Sequence, residues 1–291
     1  MLPLSSSPRL RALLISLAIA AALVFYAAMS AVPVLRVSLA PDESPAIVRR
    51  KFKPLSDYLE KRIGMKVEFR AMASEAALVD ALAADKLDLV LFSGFDLIQA
   101  GMRSKGGVVP IAQRAEDAQT RSVFITARRD IAELRDLRGR AFAFVSETST
   151  SGRLMPLRFL RAAGIDPGDM PRTVYAGTPD KVVAVVAAGG SDAGVLSAAA
   201  WEKLLADGKV DPKAVHVLYT TPGYPDYNWT VRADMDANLR RKLADAFLAL
   251  HGSAAQDKEI LDLQNASRYI PADAGDYAQI GTLAREAGLL K

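Results

Sequence analysis

Short apolar runs alternate with helix-periodic stretches twice along this chain, and no other feature restricts its fold more. The first series begins at Val34-Leu35-Arg36-Val37-Ser38-Leu39, an alternating strand. A helical stretch follows, with Ile47, Lys51, Phe52, Leu55, Tyr58, Leu59 and Ile63 at helix spacing and Pro54 placed to kink or split it. A strand at 66–70, a helix at 75–84 and a strand at 87–92 complete a β-α-β-α-β pattern, which a doubly wound parallel sheet satisfies. Strands at 108–113 and 122–128 come next. The second series has strands at 140–145, 173–175, 193–196 and 214–219, with helices after Gly152 and at 180–188 and 198–206. Residues 228–231 read as a strand returning to the first unit, and 236–251, 258–264 and 273–287 as helices. Two α/β units joined by extended crossings predict two lobes with a cleft between them. The first lobe takes 32–122 plus 230–291, the second 123–229.

Composition narrows the chemistry. A chain of 291 residues, 51% hydrophobic and 24% charged, is globular. It has no cysteine, which removes disulfides, thiolate metal sites and a cysteine nucleophile. Two histidines, His216 and His251, are too few for a histidine-built metal cluster. The net charge of +4 comes with no basic stripe interleaved with aromatics, so nucleic acid is not an expected partner. Residues 1–30 read as an export signal: Arg9 and Arg11 form a basic segment, 12–28 is almost wholly apolar, and small residues Ala28, Ser30 and Ala31 follow. Cleavage after Ser30 or Ala31 is expected, with an uncleaved membrane anchor as the alternative. Either way the folded part faces outward, most simply into a bacterial periplasm.

The stretch Ser149-Thr150-Ser151-Gly152 stands out within this frame. It lies between an apolar strand, Ala141-Phe142-Ala143-Phe144-Val145, and a helix that ends on Gly164. A strand-to-helix turn offers backbone N–H groups and the positive end of the helix dipole. Hydroxyl donors at that place complete an oxyanion site without a cationic side chain. An ordinary N-cap is the alternative, but a cap needs only one of these hydroxyls.

Three stretches together resemble the periplasmic phosphonate-binding proteins of ABC importers. They are Pro54-Leu55-Ser56-Asp57-Tyr58-Leu59 after Pro41-Asp42, Leu137-Arg138-Gly139-Arg140-Ala141-Phe142-Ala143-Phe144, and Ser149-Thr150-Ser151-Gly152-Arg153-Leu154-Met155-Pro156. Thr221-Pro222 with Asp226-Tyr227-Asn228-Trp229-Thr230 resembles the subgroup usually labelled selenate-binding, related to phosphite and phosphate binders. The resemblance implies a two-lobed type II periplasmic-binding fold that closes on a tetrahedral oxyanion. It implies that Ser149, Thr150 and Ser151 grip the anion, with permease subunits as partners, no cofactor and a monomeric state. Some of the family's features are missing. No histidine stands near Gly177-Thr178-Pro179-Asp180, Val123 replaces a frequent tyrosine, and no tyrosine follows Ser93-Gly94. These departures favour a small oxyanion over a large aminoalkyl phosphonate. The arsenite-sensing relatives rely on cysteine, which this chain lacks.

Further ligand candidates follow from position. Ser93 and Gly94 lie just past a strand's C-terminal end, where such sheets bind ligands. Asp42 and Glu43 follow the first strand and are either cleft carboxylates or surface loop residues. Thr178 and Ser197 precede helices and are either ligand contacts or caps. Tyr227 and Asn228, at the return crossing, either cover the ligand or pack. A cleft carboxylate from Asp42, Glu43 or Asp226 would favour phosphorus oxyanions, which retain a proton near neutral pH, over selenate or sulfate, which retain none. The leading expectation is a non-enzymatic solute-binding protein. Alternatives are an input protein for a sensor kinase and an enzyme on the same fold. No nucleophile–base pair, metal-ligand spacing or Walker-type loop supports the last.

Overall fold

Two sheets of different make-up carry the chain, as a computed structural model describing residues 33–39 and 45–290 shows. The contacts divide the chain into Met1–Val34 and Leu35–Lys291, and the second unit is the one described below. The expected export signal and the loop carrying Asp42 and Glu43 lie outside the described residues.

The first sheet has six strands in the order β11-β4-β10-β3-β1-β2. They are β1 (Val34–Ser38), β2 (Lys66–Phe69), β3 (Leu89–Phe92), β4 (Val108–Arg114), β10 (Asn228–Arg232) and β11 (Tyr269–Ile270). β1 and β3 run parallel, Val37 opposite Leu89, as the alternation predicts. The returning strand β10 inserts antiparallel between β3 and β4, so the sheet is mixed, not wholly parallel. Its Trp229 is fully buried and stacks on Phe247 of helix Ala237–Leu248 at 5.1 Å between ring centroids. An aromatic pair of this kind adds roughly 0.5–1.5 kcal/mol beyond its buried area. The predicted break at Pro54 falls two residues early. Helices Pro45–Lys51 and Lys53–Ile63 meet at Phe52, and Pro54 sits in the first turn of the second, where its missing N–H costs nothing.

Five strands form the second sheet, in the order β7-β6-β8-β5-β9. They are β5 (Ser122–Thr126), β6 (Phe142–Phe144), β7 (Thr173–Tyr175), β8 (Ala193–Ser197) and β9 (His216–Thr220). β6 runs parallel to β7 and β8, while β5 pairs antiparallel with β8 and β9. Phe124, Phe142 and Phe144 are buried here against Leu157 and Leu160 of helix Met155–Ala162. His216 is exposed on the edge strand β9.

The two crossings, 115–121 and 221–227, pair with each other. Tyr224 N donates to Thr120 O and Asp226 N to Asp117 O, both at 2.9 Å. Thr221 N donates to Ser122 O at 2.9 Å, and Ser122 N to the Thr221 hydroxyl at 2.9 Å. The two crossings are therefore fastened to each other by hydrogen bonds and are not independent linkers. Beside it a separate apolar cluster joins Phe95, Tyr277 and Ile280 to Leu154 and Met155, so helices attached to both sheets share one interior.

Two elements were not legible as such. Helix Gly94–Arg103 begins at the Ser-Gly pair that reads as a loop, because Ser93 caps it. The short strand β11 lies between two stretches that read as helices, 258–264 and 273–287, where no strand is expected.

Candidate functional site

The Ser-Thr-Ser-Gly stretch forms a π-helical turn, Thr150–Leu154, ahead of helix Met155–Ala162. Ser149 caps it: its hydroxyl accepts from Gly152 N at 3.0 Å, and its carbonyl accepts from Leu154 N at 3.0 Å, five residues on. Turns of this kind gather at functional sites. Gly152 is required by space, not by its backbone angles. A Cβ there would lie 2.5 Å from Val145 Cγ2 and 2.6 Å from Val145 Cβ. Thr150 is buried, and its hydroxyl accepts from Phe95 N at 3.1 Å. The turn following β6 thus bonds directly to the N-terminus of the helix following β3.

That second N-terminus is the other half of the arrangement. The Ser93 hydroxyl accepts from Asp96 N at 3.3 Å and donates to Asp96 Oδ2 at 2.8 Å. Gly94 N donates to Asp226 Oδ1 at 3.3 Å. A side chain at position 94 would collide with Ile280, so glycine lets the C-terminal helix Ala278–Glu286 close over this end. A carboxylate at a helix N-terminus satisfies both an orphan amide and the dipole.

Asp226 is the most deeply buried acid of the group. It is 1% exposed, and burial followed by the charge of Asp117 pushes its carboxyl up to about 7. The Gly94 amide, the Ser151 hydroxyl and Arg114 act in the opposite direction. Asp96, also buried, is pushed up to about 7 by burial and then by Glu75, against the Ser93 bonds. Behind Asp226, Asp117 is held by Arg114 through bonds of 2.5 Å and 2.7 Å. Burial still raises the Asp117 carboxyl. The Arg114 guanidinium also lies 5.8 Å from the Tyr227 ring centroid and donates to Gln264 O at 2.6 Å. Burial, then the charge of Asp226, raises the Tyr227 hydroxyl.

The structure brings Ser93, Gly94, Thr150, Ser151 and Tyr227 to Asp226 or to its immediate partners. Ser149 and Gly152 build the turn. Asn228 is fully buried; its amide donates to Asp226 O at 3.2 Å and its Oδ1 accepts from Thr230 at 2.5 Å, so it fastens the crossing. Ser197 stands opposite Ser122 in the sheet, but its hydroxyl caps the next helix through Ala200 N at 3.2 Å. Thr178 is exposed and stands at the N-cap position of helix Pro179–Ala187, with no side-chain cap hydrogen bond. Of the two, Ser197 alone caps its helix through its side chain. Sequence reasoning missed Ser122 and Tyr224. The Ser122 hydroxyl donates to Ser151 O at 2.6 Å and also bonds the Tyr224 hydroxyl. The aromatic character of 221–227 was the only signal, and a serine opening a strand gave none.

The arrangement is hydroxyl and amide donors around one buried acceptor.

Comparison with known proteins agrees in extent and architecture. The family model described as ABC transporter, phosphonate, periplasmic substrate-binding protein matches residues 37–277. The ABC transporter phosphite-binding protein PhnD1 of Prochlorococcus marinus (strain MIT 9301) is 30% identical over 271 residues, covering 89% of this chain and 91% of its own. The solved structure of PhnD1 from that organism in complex with methylphosphonate matches with a TM-score of 0.76, covering 88% of this chain and 99% of its own at 30% identity. The phosphate-import protein PhnD of Mycolicibacterium smegmatis is 30% identical over 166 residues, 53% of this chain and 52% of its own. The chain belongs to the periplasmic substrate-binding proteins of phosphonate ABC transporters, with their two-lobed type II fold.

Proposed function

We propose that this protein captures a small, proton-bearing phosphorus oxyanion (phosphite, phosphonate or phosphate) and delivers it to a membrane permease. The observation that carries the choice is the Asp226 carboxylate, fully buried beside the Gly94 amide and the Ser151 hydroxyl. A ligand bound there meets donors on several sides and one acceptor. An anion with a P–OH group matches both kinds. A fully ionised selenate or sulfate brings no proton of its own, so Asp226, whose carboxyl is pushed up to about 7, must take one from solvent to bond it; where it stays ionised the unpaired contact costs about 1–3 kcal/mol. The relatives' ligands, phosphite, methylphosphonate and phosphate, lie within this class. Ser149, Thr150 and Ser151 supply the grip, and closure of the lobes about the paired crossings encloses the anion.

The protein acts as a monomer without catalysis or cofactor. Removal of 1–30 releases it into the periplasm. A thermal-shift panel of phosphite, methylphosphonate, phosphate, sulfate and selenate tests the reading. Ligand at a hundredfold its Kd stabilises the native state by about 2.7 kcal/mol, so the phosphorus anions raise Tm. A rise with selenate or sulfate alone overturns it.

A further inference from the structure

The π-helical turn contains a carbonyl that its own helix does not bond. Ser149 O accepts from Leu154 N, and Thr150 O accepts from Met155 N, each five residues on. The next step in that series pairs Ser151 O with residue 156, which is proline and has no N–H. A buried carbonyl without a donor is unfavourable. The Ser122 hydroxyl donates at 2.6 Å and supplies what Pro156 withholds. Ser122 is 0% exposed, and every one of its polar atoms is engaged at the crossings: N–H to the Thr221 hydroxyl, carbonyl to Thr221 N, hydroxyl to Tyr224. Tyr224 itself is buried among Phe95, Leu154, Met155 and Tyr277, with elements of both sheets.

We infer that Ser122 and Tyr224 are positioning residues that make the shape of the anion turn depend on the paired crossings. Fixing the Ser151 carbonyl fixes the peptide plane between Ser151 and Gly152. That plane sets the direction of the Ser151 hydroxyl toward Asp226 and of the Gly152 N–H toward Ser149. The hydroxyl chain Tyr224–Ser122–Ser151 therefore links the place where the lobes bend to the place where the anion is gripped. The inference rests on the reading of 149–152 as the grip.

Calorimetry with methylphosphonate, on the full mature chain, tests it. Tyr224→Phe keeps the ring and its packing while removing one hydroxyl; Ser122→Ala removes the donor to Ser151. We expect Ser122→Ala to weaken binding by roughly tenfold and Tyr224→Phe by roughly three- to tenfold. The discriminating measurement is the cycle with Ser151→Ala. If Ser122 acts by aiming the Ser151 hydroxyl, Ser122→Ala costs less than about twofold once that hydroxyl is gone. An equal loss in both backgrounds, or wild-type affinity in Tyr224→Phe and Ser122→Ala despite a lowered Tm, overturns the inference and leaves the grip intact. Wild-type affinity in Ser151→Ala overturns the grip itself, and the inference with it.

Discussion

The amide of Gly94 donates to the carboxylate of Asp226 at 3.3 Å, across 132 positions of sequence. One residue begins a helix of the first sheet; the other lies on the crossing that returns from the second. Their bond puts the buried carboxylate in direct contact with the helix N-terminus.

A pH dependence follows from the raised carboxyl of Asp226. In the unfolded chain it ionises near 3.8, in the folded protein near 7. Between those values the native state holds the proton that the unfolded state has released. Stability from this group is therefore complete below about pH 3.8 and is lost as pH rises to about 7. Asp88 and Asp130, whose carboxyls are lowered by arginine partners, act in the opposite sense, so the useful quantity is a difference. The Tm of Asp226→Asn relative to wild type is expected to rise between pH 4 and pH 7. Parallel curves would remove Asp226 as a titrating group.

Gly152→Ala places a methyl 2.5 Å from Val145 Cγ2, with β6 directly behind it. Overpacking of this kind costs about 1–3 kcal/mol, and the turn must shift to relieve it. Urea melts are expected to show that loss, together with weaker methylphosphonate binding. An alanine variant with wild-type stability and affinity would mean that the turn has slack.

Arg114 neutralises Asp117 behind the site. Arg114→Met leaves a carboxylate of 5% side-chain exposure with no cationic partner. Removing one half of a buried pair costs about 3–5 kcal/mol, and chemical denaturation should show a loss of that size. A loss under about 1 kcal/mol would place the pair with surface bridges.

The α/β alternation made most of the fold legible. Helix caps and strand runs are local, and Ser74, Ser93, Ser149 and Ser197 all announce a helix start. Pairing is not local. Nothing within Asn228-Trp229-Thr230-Val231 says that it lies antiparallel between β3 and β4. The same division holds for the site. The Ser149–Gly152 turn shows in the residues themselves, whereas the environment of Asp226 depends on Gly94, Asp117 and Ser151, which only the tertiary fold gathers. The hydroxyl of Ser197 sits at a strand end like the others, yet pairs within its own helix, and Thr178 stands exposed at a helix start.

Ser151→Ala separates grip from fold. In the proposed grip the Ser151 hydroxyl donates to the bound anion, and its loss removes a donor to a charged acceptor, about 1.5–3 kcal/mol or roughly ten- to a hundredfold in affinity. Tm without ligand should change little. Ser149→Ala differs, because it also removes the cap on Gly152 N, at about 1 kcal/mol of stability. Equal effects of the two variants on unliganded Tm would contradict this division of roles.

The central claim is that Asp226 makes the site choose an anion that brings its own proton. Competition calorimetry at neutral pH between methylphosphonate and selenate, on wild type and Asp226→Asn, tests it most directly. We predict that wild type prefers methylphosphonate by roughly tenfold or more and that the asparagine variant narrows the gap. Selenate ahead on wild type, or a preference that Asp226→Asn leaves unchanged, would contradict the account.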